Sequence, residues 1–493
     1  MGGITSQKVF LLCYICCTII KKSHLLMQKI IIKNFGPIKY AEIEVKKILV
    51  LIGEQASGKS TIAKLIYFFK SLKEDLFSQI YQDIQKDNFD IDSDLISPIN
   101  EKFYNFFGST FNLPHFEITF YYTFESNKYL KLTLNDEKRL ISKFSDNLIT
   151  KNFKDDLTQT KKAFQELLNI DKNQFDKLRN TIYITYINRL HELLDEVFEI
   201  TQANSLFIIS GRNATVSYSN LFEKYLFAIV QKSVEENRRK VFLNKEYSID
   251  ENLMLNFIER VETIKEKFKY FGNFQGLIEI DQNKITNKIH FIKNKMNEIL
   301  KGEYQIDQMG EKIVFNNEKT DYVYLSHASS GQQESIRILQ DIFINILDDV
   351  KVLRIIEEPE AHLFPVAQKQ LIELLALMVN HNDDNQLIIT THSPYVLTVF
   401  NNLLFANRVV EKNPSTESEV AQIIPQDSWL SAKDFSAYSL ANQSVSQDTR
   451  YCEPIFNQEK GTIQQNYLDT VSEILGGDFQ ALYSIHAKTF KRK

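Results

Sequence analysis

Short runs of consecutive apolar residues, set among longer amphipathic stretches, dominate the pattern of this chain. Nearly continuous runs occur at residues 48–52, 352–356 and 387–390. Such runs are typical of strands buried on both faces of a parallel sheet. After the first run, apolar residues recur three and four apart over residues 62–69, which predicts a helix. The pattern therefore predicts an α/β fold with parallel strands and flanking helices.

The region between the first and second runs has different patterns. Apolar and polar residues alternate near 116–124 and 130–134, which predicts two antiparallel strands with a hairpin turn at Glu125 to Lys128. From about residue 150 to 300 helical patterns dominate, interrupted by an apolar strand from Leu206 to Ile209. Arg212 follows this strand, and an ordinary surface arginine is the favoured interpretation over a residue of a functional site.

The first 26 residues differ in pattern from the rest of the chain. Val9 to Ile20 is an apolar run of 12 residues between lysines. Crossing a bilayer takes about 20 residues, so the run is too short and no membrane association is expected. Because a coherent strand pattern opens at Met27, residues 1–26 are expected to be an N-terminal extension outside the fold.

Composition narrows the class of protein. A chain of 493 residues is too long for one compact core, so several structural units are expected. The 58 Lys and Arg against 63 Asp and Glu give a net charge of −5, which does not indicate a general nucleic-acid binder, although a local basic groove stays open. Four cysteines exclude a disulfide scaffold and suit a reducing cytosol, so a cytoplasmic protein is expected.

A complete GxxxxGK[ST] motif, the P-loop, follows the first apolar run. It consists of Gly53, Glu54, Gln55, Ala56, Ser57, Gly58, Lys59, Ser60 and Thr61. In this strand–loop–helix order, backbone N–H groups close around the β-phosphate and the lysine reaches the β- and γ-phosphates. The Ser60 hydroxyl binds Mg²⁺ in such a loop. The motif therefore predicts a nucleotide site.

The second and third apolar runs end in polar residues. In the acidic turn (residues 357–360), Glu357 is expected to hold Mg²⁺ through water and Glu358 to deprotonate the attacking water. A charged helix start is the alternative, which the P-loop in the same chain disfavours. His392 follows the third run, where it could hydrogen-bond a γ-phosphate or serve a structural role.

Small residues precede the helical pattern before the acidic turn. This SSGQ segment consists of Ser329, Ser330, Gly331 and Gln332. Small residues at a helix N-terminus form an anion site, although the same residues are also common at the N-cap of an ordinary helix.

These four motifs, which follow one another along the chain as P-loop, SSGQ segment, acidic turn and His392, resemble the ATP-binding-cassette (ABC) ATPase heads of the SMC/RecF/OLD-like AAA family. Residues 33–45 also resemble the strand and turn before the P-loop in these heads. The resemblance implies ATP and Mg²⁺ as ligands, with the SSGQ segment contacting ATP bound to a partner subunit's P-loop. It further implies Glu358 as the hydrolytic base and His392 as the switch histidine. Glu357 stands where an aspartate is commoner.

The resemblance implies an α/β ABC-type P-loop ATPase head, a mixed sheet with flanking helices and a largely helical insertion. The expected units are an ATPase N-lobe at 27–150, the insertion at 151–310, an ATPase C-lobe at 311–405 and a C-terminal region at 406–493. We recognise no catalytic site in the last of these.

The motifs are also similar to those of ATPase components of bacterial anti-phage systems of the Septu, PARIS and retron-associated type. This implies a homodimer, or an assembly of dimers, that acts as a sensor and switch and controls a nuclease or toxin in trans. Two alternatives stay open: a RecF/SMC-like DNA-binding repair ATPase, and a self-contained OLD-like nuclease. Nucleic acid therefore stays open as a partner.

Overall fold

The computed structural model describes residues 27–82, 91–168, 175–200, 202, 204–217, 249–280, 287–315, 321–440, 451–464 and 477–484. The expected N-terminal extension, residues 1–26, lies outside these ranges.

Groups of strands and groups of helices follow one another along the described chain. The strands are β1 (Gln28–Phe35), β2 (Ile38–Val45), β3 (Ile48–Gly53), β4 (Glu117–Thr123), β5 (Lys128–Leu134), β6 (Leu140–Phe144), β7 (Asn204–Ile208), β8 (Glu303–Asp307), β9 (Gly310–Val314), β10 (Tyr322–Tyr324), β11 (Val352–Glu357), β12 (Gln386–Thr391), β13 (Phe435–Leu440), β14 (Cys452–Pro454), β15 (Phe456–Asn457) and β16 (Thr462–Ile463). The helices are α1 (Lys59–Gln82), α2 (Ile91–Phe107), α3 (Lys151–Leu168), α4 (Phe175–Phe198), α5 (Ala214–Ser217), α6 (Ile249–Phe271), α7 (Phe274–Ile280), α8 (Asn287–Leu300), α9 (Ser330–Leu347), α10 (Pro365–His381), α11 (Pro394–Lys412) and α12 (Glu417–Ile423).

The central sheet is mixed and carries the P-loop strand in its interior. Within the described residues its strand order is β14-β13-β3-β12-β11-β7. All neighbours from β13 to β7 run parallel, and β14 is antiparallel to β13. The predicted strands at 48–52, 352–356 and 387–390 are confirmed as β3, β11 and β12. Because these three are parallel neighbours, their carboxyl ends lie at one edge of the sheet.

An antiparallel sheet with the order β2-β1-β4-β5-β6 forms a second layer. The predicted hairpin is confirmed, since β4 pairs with β5 and a turn covers residues 124–127. Smaller antiparallel sheets join β8, β9 and β10, and β15 with β16.

Helix α1 packs between the two large sheets. Leu49 and Leu51 of β3 belong to one buried cluster with α1 and the antiparallel sheet, while Ile48 and Val50 belong to a second cluster on the opposite face. This alternation follows from the two-residue period of a strand, so β3 is buried on both faces. The second cluster includes side chains of α6 to α11.

Three strands of the central sheet, β7, β13 and β14, come from outside the expected ATPase lobes. Strand β7 belongs to the segment 151–310, which is otherwise mostly helical, and pairs with β11. Strand β13 belongs to the C-terminal region and pairs with β3 over its whole length. The fold class, an α/β P-loop ATPase head with a mixed sheet, flanking helices and a largely helical insertion, is confirmed.

None of the helices in the described ranges is both long and apolar enough to cross a bilayer.

Candidate active site

The P-loop needs glycine at both of its glycine positions. Gly53 and Gly58 have φ angles of 156° and 87°, a region that favours glycine. A Cβ atom on Gly53 would lie 2.5 Å from the carbonyl oxygen of Leu440, and one on Gly58 would lie 2.9 Å from Cγ1 of Ile38. Packing from β13 and β2 therefore fixes the shape of the loop.

The rest of the motif lies where a ligand can reach it. Glu54, Gln55 and Ala56 are exposed at the tip of the loop, and Ser57 is buried. Ser60 is exposed on the first turn of α1, and Thr61 is half-buried.

Lys59 folds back into the P-loop and is buried. Its Nζ donates to the carbonyl oxygens of Gly53 and Glu54, both at 2.8 Å, and lies 3.4 Å from Oγ of Ser57. Burial lowers the pKa of Lys59, and nearby carboxylates, Glu358 foremost, oppose this shift. The ammonium group therefore sits among the loop's own carbonyls, next to the acidic turn.

Glu357 presents a buried carboxylate at the end of β11. Its Oε2 accepts a hydrogen bond from the backbone N–H of Ser210 at 3.2 Å. Its Oε1 is buried and has no hydrogen-bond partner among the described residues. Because buried polar atoms are normally paired, a free carboxylate oxygen suits a divalent cation.

Glu358 adopts a strained backbone conformation directly after β11. Its φ angle of 43° lies in the left-handed region, and its N–H donates to the carbonyl oxygen of Thr390 at 2.9 Å. This turn brings Oε1 of Glu358 to 3.5 Å from Nε2 of His392. The two predicted catalytic side chains are thus together at the carboxyl edge of the central sheet.

Glu360, to which we assigned no role from the sequence, positions this histidine. Its Oε1 accepts hydrogen bonds from Oγ1 of Thr391 at 2.6 Å and from the backbone N–H of His392 at 3.0 Å. Its Oε2 is buried without a partner in the described part of the chain. The acidic turn therefore holds the end of β12 in place beside Glu358.

The SSGQ segment starts α9 with a capping box. Ser329 is the N-cap, its N–H donates to Oε1 of Gln332 at 3.0 Å, and its Oγ accepts from the Gln332 N–H at 3.4 Å. Nε2 of Gln332 donates to the carbonyl oxygen of Leu300 at 2.7 Å. Ser329 and Ser330 remain exposed, so an anion can approach this helix end.

Gly331 brings α9 against the chain that follows the acidic turn. A Cβ atom at this position would lie 2.7 Å from the carbonyl oxygen of His362. The SSGQ segment and the chain that follows the acidic turn are therefore packed against each other without room for a methyl group.

The site has few protein ligands to offer a metal ion. Among the described residues, no cluster of three or more His, Cys, Asp or Glu side chains is arranged for metal binding. The exposed hydroxyl of Ser60 and the unpaired oxygen of Glu357 do suit Mg²⁺, which usually takes one or two protein ligands with phosphate and water.

A family profile described as "AAA ATPase domain" matches residues 27–397. The chain belongs to this family of AAA ATPase domains. No curated protein matches the sequence.

Among solved structures, the chain is similar to several SMC heads. An SMC head bound to the C-winged helix domain of ScpA is 12% identical, with 76% of this chain and 92% of that chain covered and a TM-score of 0.34. An Smc head with an extended coiled coil, bound to the C-terminal domain of ScpA derived from Pyrococcus furiosus, is 13% identical, with 76% of this chain and 91% of that chain covered and a TM-score of 0.33. The SMC head domain from Thermotoga maritima is 11% identical, with 76% of this chain and 92% of that chain covered and a TM-score of 0.31.

Arg212 is not a surface residue of this ATPase domain, so the sequence-based interpretation is wrong. Its side chain is fully buried. Nη1 donates to the carbonyl oxygens of Ile209 at 3.2 Å and Glu357 at 2.9 Å, and Nη2 donates to that of Glu358 at 2.9 Å. Nε donates to the carbonyl oxygen of Glu334 at 3.0 Å. The sequence alone did not indicate this role of Arg212, because the role depends on the pairing of β7 with β11.

The C-terminal region of the ATPase also touches the P-loop. Besides the Leu440 carbonyl that packs on Gly53, the hydroxyl of Tyr451 donates to the carbonyl oxygen of Ser57 at 2.7 Å. Both residues lie beyond the part that matches the family profile. No motif indicated them, because their contact with the loop arises only when β13 pairs with β3.

Proposed function

We propose that this protein binds ATP with Mg²⁺ at the P-loop, closes into a dimer around it and hydrolyses it. The observation that carries the proposal is the contact between Glu358 and His392, with Oε1 and Nε2 3.5 Å apart. This pair lies at the edge of the central sheet from which the P-loop leaves β3.

Nucleotide binding uses the P-loop and its lysine. Lys59 exchanges its bonds to the carbonyls of Gly53 and Glu54 for charge-assisted bonds to phosphate oxygens, which are stronger. Ser60 and Glu357 would hold Mg²⁺, which when bound neutralises negative charge on the phosphates.

Hydrolysis uses Glu358 as the general base. Its side chain is 40% exposed, so water can reach the carboxylate, and the strained turn fixes its direction. His392 lies beside it and is held by Glu360, so it can bond the terminal phosphate while Glu358 takes a proton from water.

The surface around the SSGQ segment supports closure on a second copy of the chain. Phe364 is 75% exposed and Tyr395 is 53% exposed, at the starts of α10 and α11. Leu363, the residue before Phe364, lies against Gly331, so the apolar surface adjoins the exposed serines. Exposed apolar surface next to an open anion site suits burial in an interface.

A Glu358→Gln variant tests the catalytic assignment. It should bind ATP and Mg²⁺ normally but hydrolyse ATP about 100-fold more slowly or worse, because the amide cannot accept the proton. ATP-bound dimers should then accumulate, which light scattering coupled to size-exclusion chromatography measures.

Lys59→Ala is the matched control. It should bind ATP about 10- to 100-fold more weakly, since charge-assisted bonds to phosphate are lost, and form no ATP-dependent dimer. Normal turnover by Glu358→Gln would place the base elsewhere, and unchanged nucleotide affinity of Lys59→Ala would overturn the role of the P-loop.

The proposed output is a switch in anti-phage defence that controls a nuclease or toxin in trans. The resemblance of the four motifs to ATPases of such systems supports it. ATP closes the dimer and hydrolysis reopens it, so a partner that prefers one state responds to the cycle.

Plaque assays on cells that carry this gene with its neighbouring genes test this output. Protection should be present with the natural chain and absent with Lys59→Ala at equal expression. Protection that survives Lys59→Ala would contradict the switch. ATP-dependent binding of duplex DNA by the purified chain, without any protection, would favour a repair function instead.

A further inference from the structure

Arg212 joins two parts of the ATPase that serve different nucleotides in the proposed dimer. On one side it bonds the carbonyl oxygens of Glu357 and Glu358 in the acidic turn. On the other side it bonds the carbonyl oxygen of Glu334 in the second turn of α9, and its Nε lies 3.3 Å from Oε2 of the Glu334 carboxylate. The acidic turn serves the chain's own nucleotide, whereas the start of α9 would serve the partner's.

The geometry of this link suits arginine and no other residue. One planar guanidinium group donates in three directions, to the backbone of Ile209 directly after β7, of β11 and of α9. A lysine at this position has one nitrogen and cannot bridge all three. Because the group is fully buried, breaking one contact leaves polar atoms unpaired, so α9 and the acidic turn are held in one fixed arrangement.

A second contact joins the same two parts. The lack of space between Gly331 and the carbonyl oxygen of His362 means that a shift of the SSGQ segment pushes the chain after the acidic turn. Arg212 then carries the same shift to the carbonyls that flank the strained Glu358 turn.

We propose that Arg212 is a positioning residue that couples the two ATP sites of the dimer. When the partner's ATP contacts the start of α9, the guanidinium group moves the acidic turn and places Glu358 for hydrolysis in the other site. This inference rests on the proposed function. It adds that the coupling between the two sites passes through the interior of one chain, by way of Arg212.

The experiment compares Arg212→Lys with Arg337→Lys. Arg337 is also fully buried on α9, but it forms a bidentate pair with Glu311 away from the acidic turn. The measurements are the steady-state ATPase rate over a range of ATP concentrations, the equilibrium affinity for ATP and the thermal midpoint.

Arg212→Lys should lower kcat about 10- to 100-fold and bring the Hill coefficient from above 1 to 1. The affinity for ATP should stay within about threefold, since the P-loop is unchanged. Arg337→Lys should lower the thermal midpoint but leave the Hill coefficient at the wild-type value. A purely structural role of Arg212 would give the same pattern in both variants, and that result overturns the proposal.

A second variant tests the same coupling in case Arg212→Lys does not fold. Glu334→Gln keeps the backbone carbonyl and removes only the charge that pairs with Arg212, so it should lower the Hill coefficient to a smaller extent. Wild-type cooperativity in Glu334→Gln with an unfolded Arg212→Lys would overturn the coupling role. If the natural chain itself neither dimerises with ATP nor shows cooperativity, the proposed function fails, which is a distinguishable result.

Discussion

At the scale of single residues, one buried lysine should make the stability of this ATPase depend on pH. Lys70, three turns after the P-loop lysine on α1, is buried, and its Nζ donates to Oε1 of Gln28 on β1 at 2.6 Å. Burial, together with the nearby charge of Lys73, lowers the pKa of Lys70 to about 7. In the unfolded chain the pKa of a lysine is about 10.4.

Stability should therefore rise with pH through Lys70. Between about pH 7 and 10 the unfolded chain binds a proton at this position that the folded chain does not, which stabilises the fold as pH increases. Lys70→Met removes this dependence. Its stability advantage over the natural chain should be largest below pH 7, on the order of 4 kcal/mol, and shrink by pH 9 to 10. Urea unfolding of both chains at several pH values measures it, and a difference that does not change with pH would refute the assignment.

At the same scale, the sequence indicated which motif residues lie together at the site, but it did not indicate the contacts that support them. The roles assigned to Glu358 and His392 needed only a strand followed by a polar residue and a P-loop elsewhere. Glu360 accepts a hydrogen bond from the backbone of His392 at the end of β12. Arg212 donates to the carbonyl oxygen of Glu357 at the end of β11. Those partners are defined by strand order, which a local pattern does not contain.

Among the elements, continuous apolar runs made β3, β11 and β12 predictable. Strand β13 was missed because its sequence, FSAYSL, mixes apolar residues with serine and resembles a surface segment. In the sheet all six positions are buried, and Oγ of Ser436 donates to the carbonyl oxygen of Glu44 at 2.8 Å. Burial of these serines depends on partners far away in sequence, so pattern reasoning left the C-terminal region without a role.

The hairpin of β13 and β14 should set the affinity of the P-loop for ATP. Tyr451→Phe removes the hydrogen bond to the Ser57 carbonyl, so the loop is held less firmly and ATP should bind about 2- to 10-fold more weakly. Tyr438→Phe on the same hairpin is the control, since its hydroxyl accepts from the backbone N–H of Glu44 and does not reach the loop. Titration with a fluorescent ATP analogue measures both, and equal effects of the two changes would argue against a role for Tyr451.

For the whole molecule, the proposed dimer requires that one chain supplies two halves of different sites. The P-loop and acidic turn lie at one edge of the central sheet, while the exposed SSGQ serines start a separate helix. A symmetric dimer pairs each half with its counterpart on the other copy.

Mixing two inactive variants should therefore recover activity. Ser329→Arg places a bulky charge where the partner's nucleotide would bind, and Lys59→Ala disables the P-loop. A mixed dimer has one site with both halves intact, so an equal mixture should reach at most about a quarter of the natural rate. Coupled-enzyme assays at fixed total protein measure this. Normal turnover by Ser329→Arg without its mixing partner would show that the segment does not act in trans.

The position of β3 between β12 and β13 has a consequence for how the chain folds while it is synthesised on the ribosome. Strand β3 ends at Gly53, but the strands on its two sides begin at Gln386 and Phe435. At translation rates of about 5 to 20 residues per second, the first strand waits roughly 20 to 80 seconds for its second neighbour. Until β12 emerges, β3 has no neighbour in the central sheet, so nascent chains should depend on chaperones, and ATP turnover should begin only after β13 has emerged.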